Sequence, residues 1–324
     1  MANSAASTAR TLAKRLGELV LVLFIVSIGT FALVDLMPGD PAVVVLGEGH
    51  APAEYEAQRE KMGLNDPFPV RYGDWVGSAL TGDLGDSFLP PYSDVAERIG
   101  AALPVSVQLA LMALVMALIA AIPLAMWSAY NSGGRVDRII SAGTFGVLSV
   151  PSFLCGMLLI AVFANGLGWF PRLEWARISD GLGANLHHAF LPALTIALAE
   201  TATFARVLRG DLITTLREDF ILAARAKGMS PLHVLFRDAL RPSSFSLITL
   251  LGISMGRLVG STVIVEFLFA LPGMGSLIIG SADQGDVPMV QGAVLVIALL
   301  YVLVNALIDL SYGRLDPRIR RAHV

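Results

Sequence analysis

Six apolar runs, each long enough to cross a lipid bilayer as a helix, decide what this chain can fold into. They occupy residues 16–34, 102–127, 139–163, 188–205, 245–267 and 289–310. A bilayer core calls for about 20 helical residues at roughly 1.5 Å each. Backbone N–H and C=O groups have no water to bond in hydrocarbon, so a spanning segment closes its hydrogen bonds internally as a helix. The sequence therefore predicts an all-α, polytopic membrane protein with six transmembrane helices. Only 15% of its residues are charged, against about 25% in soluble domains. Arg10, Lys14 and Arg15 before the first run imitate a secretory leader. That run is long, however, and Asp35 and Pro38 follow it without a small-residue cleavage site, so a retained first span is expected. Cys155, the single cysteine, sits in an apolar run and reads as a small buried hydrophobe.

The basic residues orient the spans. With both termini in the cytoplasm, segments 1–15, 129–138, 206–241 and 312–324 carry three, two, seven and four Lys or Arg, sixteen of the 23 present. The opposite segments, 36–100, 165–186 and 268–288, carry six, and Arg257 lies within a span. Excess positive charge stays on the cytoplasmic side. Both ends are thus expected inside, with membrane lipid rather than nucleic acid around the chain and a multi-pass place in the cell membrane.

Segment 36–100 holds eleven Asp or Glu between Asp40 and Glu97, with turn signals at residues 38–41 and 90–91. At about 65 residues it exceeds an ordinary connection. Its middle, helical in composition after Pro52, predicts a small external helical cap. Leu64, Phe68 and Trp75 are its candidate docking side chains.

Residues 218–242 place charge between two oily stretches. Glu218 and Asp219 suit a helix start, where the macrodipole favours negative charge. Gly228 is placed as a helix C-terminal cap, and Ser230 as an N-cap with Pro231 at the first helical position. Leu232, Leu235, Phe236, Ala239 and Leu240 then recur with helical spacing as one apolar face, while Arg237, Asp238 and Arg241 lie off it. A helix this short needs something to dock on. The small pair Ala223 and Ala224 would let a partner surface approach.

Here a family resemblance becomes specific. "LAARAKG" at 222–228 and "ALRP" at 239–242 resemble the cytoplasmic "EAA" loop of ABC importer permeases. The chain is similar, more narrowly, to the B-type permease subunit of dipeptide and oligopeptide importers. In order, it carries "MPGDP" at 37–41, "GDLGDSF" at 82–88, "SVPSF" at 149–153, "LPALTIAL" at 191–198, "REDFILAARAKGMS" at 217–230, "VIVEFLFALPGMG" at 263–275 and "LDPRIR" at 315–320. It departs from the pattern at Leu222, where the family's Glu stands, and at Arg241-Pro242, where Leu-Pro is usual. The resemblance implies a type I ABC importer permease fold over residues 1–324 as a single transmembrane permease domain. Ala223, Ala224, Arg225, Lys227, Gly228, Ser230 and Pro231 would form the loop coupled to an ATPase. It also implies a second homologous permease subunit, two ATP-binding subunits, an extracytoplasmic substrate-binding protein and a peptide substrate. ATP and Mg would belong to the ATPase chains. In keeping with that, none of the lysines Lys14, Lys61 and Lys227 sits between the Gly and the Ser or Thr of a P-loop.

Within the spans, Glu200, Arg257 and Glu266 are candidates for the translocation path. Charge at a bilayer centre costs about 2.5–3.5 kcal/mol on insertion scales, so such groups turn toward cavities or partners. Gly252, Gly256 and Gly260 make a small-xxx-small stripe suited to close helix packing or to a path wall. Other classes fit less well. A stand-alone secondary transporter or channel would leave the 218–242 hairpin unexplained. An intramembrane protease could claim "GISMG" at 252–256, but that motif belongs at a strand-to-helix turn. His187 and His188 lack the spacing of a metal site, so no metal, cofactor or catalytic residue is expected in this chain.

Overall fold

The computed structural model describes residues 17, 19–32, 39–90 and 92–315, without the side chains of 259–261 and 309–315. The ends of the first expected span, both chain termini and the "LDPRIR" segment after Leu315 lie outside the described residues. The chain divides into two compact units, residues 1–105 with 272–303 and residues 106–271 with 304–324.

In the first unit, α1 (Leu19–Ala32) turns one polar and aromatic face inward. Ser27, Thr30 and Phe31 are buried, while Val20, Leu21, Phe24 and Ile25 are exposed, as a lipid-facing surface requires. Helix α2 spans Pro41–Leu46, α3 Pro52–Lys61 and α4 Phe68–Leu80. The helical middle of the 36–100 segment is therefore present. Phe68, Tyr72 and Trp75 repeat at i, i+4 and i+7 and meet Phe31 with ring centroids 5.3, 5.6 and 5.7 Å away. Tyr72 and Ser27 share a hydroxyl bond of 2.7 Å. Phe68 and Trp75, expected as free docking residues, thus spend one side on α1. Asp40 caps α2 and accepts from Arg59 of α3. That guanidinium bond holds the Asp40 carboxyl below its ordinary range.

The start of α5 (Val95–Tyr130) packs with α13 (Met274–Asp283) and α14 (Val287–Leu315). Val95, Ile99 and Ala102 meet Met274, Met289 and Ala293 there, flanked by Leu84 and Leu277. The "GDLGDSF" segment is tied to the foot of α14. Buried Asp286 accepts from Ser87 Oγ at 2.5 Å and from Phe88 N–H at 3.1 Å.

The second unit is built on α8 (Leu182–Thr215), whose buried Ala189, Ala193 and Ala197 form a small-residue stripe. The "LPALTIAL" motif supplies much of that buried face. At 1.5 Å per residue, its 34 residues reach about 51 Å, well beyond a 30 Å bilayer core. The stretch expected as a span over 139–163 is not one continuous helix. Helix α6 (Arg135–Ser149) and α7 (Ser152–Leu159), which runs on as a π-helical turn to Gly166, meet at 101°. The bend sits in "SVPSF". Pro151 has no N–H to give, and it pushes Val150 into extended backbone (φ −99°, ψ 128°). Just beyond it, Gly156 lies so close to α8 and to residues 263–268 that a Cβ there would come within 2.7 Å of Leu268 and 3.1 Å of Thr195.

Helices α5, α8 and α14 are long and apolar enough to cross a membrane, and the bent α6–α7 pair brings the candidate spans to four. Helix α1 is shorter, and α11 (Leu240–Ser261), followed by α12 (Val263–Leu268), carries Arg241, Arg257 and several hydroxyls. The architecture is all-helical apart from one isolated bridge, Asp86 to Asp94, among the described residues.

Candidate functional site: a charged hairpin and a buried charge pair

Helix α9 (Asp219–Ala226) starts with Asp219 in its first turn and anchors itself through fully buried Ile221. Gly228 ends it at φ +79°, the left-handed region that favours glycine. The Gly228 N–H bonds Arg225 O at 2.9 Å and the Met229 N–H bonds Ala224 O at 3.3 Å. Ser230 then holds extended backbone, and its Oγ accepts from His233 N–H at 3.3 Å. Pro231 opens α10 (Pro231–His233), where its missing N–H costs nothing.

The second arm differs from the sequence expectation. A π-helical stretch, Val234–Ala239, joins α10 directly to α11, so the arm is the foot of a long helix. Val234, Leu235 and Ala239 are buried, whereas Leu232 and Phe236 are exposed at 66% and 59%. With Phe220, Leu222 and Met229 they make an exposed apolar surface on both sides of the turn. Ala223, Arg225 and Lys227 are exposed around it and Ala224 half-buried. Behind the hairpin lies a cleft of about 540 Å³, lined by Tyr130, Leu216, Arg217, Arg225, Met229 and Leu235 among others. Ser243 Oγ bonds Thr215 Oγ1 at 2.9 Å, tying α11 to the end of α8.

A substitution isolates the turn. A Cβ on Gly228 would meet nothing within 4 Å, so only its φ resists a side chain. Gly228→Val should cost about 1–2 kcal/mol and reduce the transport that the family resemblance implies, while Gly228→Asn, tolerant of positive φ, should retain most of it. Uptake normalised to the membrane content of each variant checks this. Equal activity of both would show that the turn conformation is dispensable.

The structure brings together two of the three intramembrane candidates. Glu200 of α8 is buried, and its Oε1 accepts from Arg257 Nη2 at 2.5 Å. Ser254, one turn before Arg257 on α11, donates its hydroxyl to Glu200 Oε2 at 2.8 Å. The serine of "GISMG" is thus a buried hydrogen-bond donor. Glu266 is fully buried on α12. Gly252 and Gly256 are buried on α11, and the surroundings of Gly260 lie outside the described residues. His187 bonds the carbonyl of Trp169 and His188 that of Ala184. No group of three or more His, Cys, Asp or Glu is placed to hold a metal among the described residues.

Residues 121–321 match the family described as binding-protein-dependent transport system inner membrane component, and residues 8–90 match the N-terminal part of such components. The chain belongs to this family. It is a multi-pass inner-membrane component. Among its relatives is the oligopeptide transport system permease protein AppB of Bacillus subtilis, 35% identical over 92% of this chain and 95% of the relative. The di/tripeptide transport system permease protein DppB of Pseudomonas aeruginosa is 33% identical over 95% and 98%. The glutathione transport system permease protein GsiC of Escherichia coli is 33% identical over 95% and 97%.

One buried charge cluster of this inner-membrane component escaped the sequence reading. Asp137, at the start of α6, accepts from Arg209 Nε at 2.6 Å, Arg209 Nη2 at 2.7 Å, Ser128 Oγ at 2.5 Å and Gly133 N–H at 2.8 Å. It joins α5, α6 and α8 around one carboxylate. Its signal was a lone acid between Arg135 and Arg138, which reads as an ordinary solvated loop charge. The Asp286 contacts were missed likewise, because their partners stand about 200 positions away in the chain.

Proposed function

We propose that this chain is the permease subunit of an ATP-driven peptide importer and forms half of the path across the inner membrane. The names of its relatives support a peptide-type cargo. Six spans with both ends in the cytoplasm are supported by the bias of basic residues and by the bent α6–α7 pair serving as one span. The whole chain would act as one permease domain, with segment 36–100 outside and 218–242 in the cytoplasm. A second homologous permease subunit completes the path. Two ATPase subunits hold ATP and Mg, and a binding protein delivers cargo from outside.

The observation that carries this reading is the 218–242 hairpin. Its exposed Phe220, Leu222, Met229, Leu232 and Phe236 surround the Gly-Met-Ser-Pro turn, and apolar patches of this kind mark partner surfaces. Ala223, Ala224, Arg225, Lys227, Gly228, Ser230 and Pro231 are the coupling residues, moved when the ATPases close. Glu200, Arg257 and Glu266 belong to the path, and the α11 glycines to helix packing beside it.

A cysteine at Ala223 or Ala224, in a Cys155→Ser background, should cross-link to an ATPase subunit in the assembled complex and not to the binding protein. Absence of that cross-link across positions 222–229 would remove the coupling assignment.

A further inference from the structure

Arg257 is unusual among the charged groups of the second unit. It stands on a largely apolar stretch of α11, yet its side chain is 60% exposed while its partner Glu200 is 6% exposed. Both carboxylate oxygens of Glu200 are engaged, one by Ser254 and one by Arg257 Nη2. The pairing therefore neutralises the acid and at the same time fixes the guanidinium from one side. A guanidinium carries five N–H donors in a planar fork, and the bond to Glu200 uses Nη2 alone. An exposed charge on an apolar helix is disfavoured against lipid and turns toward water or a partner. Arg257 thus presents donors to whatever occupies that space, already ordered and relieved of much of its rotamer entropy.

The chemistry that fits such a fork is a carboxylate, which takes two parallel N–H bonds from it. Every free peptide carries one at its C-terminus whatever its sequence, and peptides with Asp or Glu carry more. Resting on the reading of Arg257 as a path residue, we propose that Arg257, held by Glu200 and Ser254, binds a carboxylate of the peptide in transit. Glu200 and Ser254 are positioning residues here. They hold the arginine and do not touch the cargo. A bond of this kind gives a sequence-tolerant foothold, because it ignores the side chains that differ between peptides.

The test uses the whole transporter, assembled with its partner subunits in vesicles and supplied with saturating loaded binding protein. Uptake of tri-alanine, of tri-alanine amide and of Ala-Glu-Ala amide is compared between the unsubstituted complex and Arg257→Gln. Taking the ratio for each probe cancels any preference of the binding protein. Loss of a charged hydrogen bond predicts a fall of about tenfold or more for tri-alanine and a ratio near one for its amide. A fall that returns with Ala-Glu-Ala amide assigns the site to carboxylates in general, and no such return assigns it to the C-terminus. Arg257→Lys, which keeps the charge without the fork, should fall between, again only for carboxylate-bearing probes.

Equal losses for tri-alanine and its amide would overturn the proposal and leave Arg257 as a structural partner of Glu200. Arg257→Cys in the Cys155→Ser background separates the two levels of the argument. Labelling by a water-soluble thiol reagent keeps residue 257 on an aqueous path even if the carboxylate dependence is absent. No labelling in the assembled complex removes the path reading and this proposal with it. If the unsubstituted complex takes up none of the three alanine probes, the proposed peptide cargo fails, and the carboxylate site falls too.

Discussion

Arg209→Met should be among the most damaging single substitutions in the second unit. It removes the only guanidinium bonded to Asp137 among the described residues and leaves that carboxylate 6% exposed with Ser128 Oγ and the Gly133 N–H. Removing one partner of a buried pair typically costs about 3–5 kcal/mol, because the remaining charge stays desolvated. The cost belongs to the orphaned carboxylate rather than to the lost attraction. Adding Asp137→Asn should therefore recover most of it, since an uncharged amide with its oxygen at the Oδ2 place still accepts from the Gly133 N–H, while its NH2 group can donate to Ser128 Oγ. Reversible unfolding of the purified protein in mixed detergent micelles measures both variants. A single substitution costing under about 1 kcal/mol would show that Arg209 is replaced by water. A double variant no better than the single one would place the damage in lost packing of the arginine stem.

What the sequence discloses here depends on how local the cause is. The hairpin turn is legible because Gly228, Ser230 and Pro231 each impose their backbone without outside help. The α3 helix is legible for the same reason, starting at Pro52. The 101° bend was within reach, since Pro151 marks it, but an apolar run hides a break that hydropathy alone does not register. The π-helical stretch at Val234–Ala239 has no such local marker. It makes the expected short amphipathic helix the foot of α11, with Leu232 and Phe236 left exposed. Long-range pairs are the least legible. Glu200 and Arg257 were each suspicious as charges in apolar runs, but their bond spans 57 positions. Asp137 and Arg209 raised no suspicion, because both sit where loop charges are ordinary.

The packing of α14 on α5 supplies the other large effect. Gly292 faces the foot of α5 so closely that an added Cβ would lie 2.6 Å from Val95 Cγ1, 3.4 Å from Ile99 Cδ1 and 3.5 Å from Leu84 Cβ. Real Cβ atoms do not approach that near, so a neighbour must move. Val95 is a poor candidate for moving. It is β-branched, held to essentially one rotamer in a helix, and fully buried in the cluster with Met274 and Met289. Gly292→Ala should therefore push α14 off α5 and cost about 1–3 kcal/mol, the usual range for an overpacked core. That outcome runs against propensity, because Ala in place of Gly inside a helix ordinarily stabilises by roughly 0.8–1.0 kcal/mol. The sign of the measured change thus decides between local propensity and the contact. Combining Gly292→Ala with Val95→Ala removes the Cγ1 that the new Cβ would meet and should be less destabilised than Gly292→Ala alone. A stabilising Gly292→Ala, or no relief from Val95→Ala, would mean that α14 and α5 are held apart by more than the distance described.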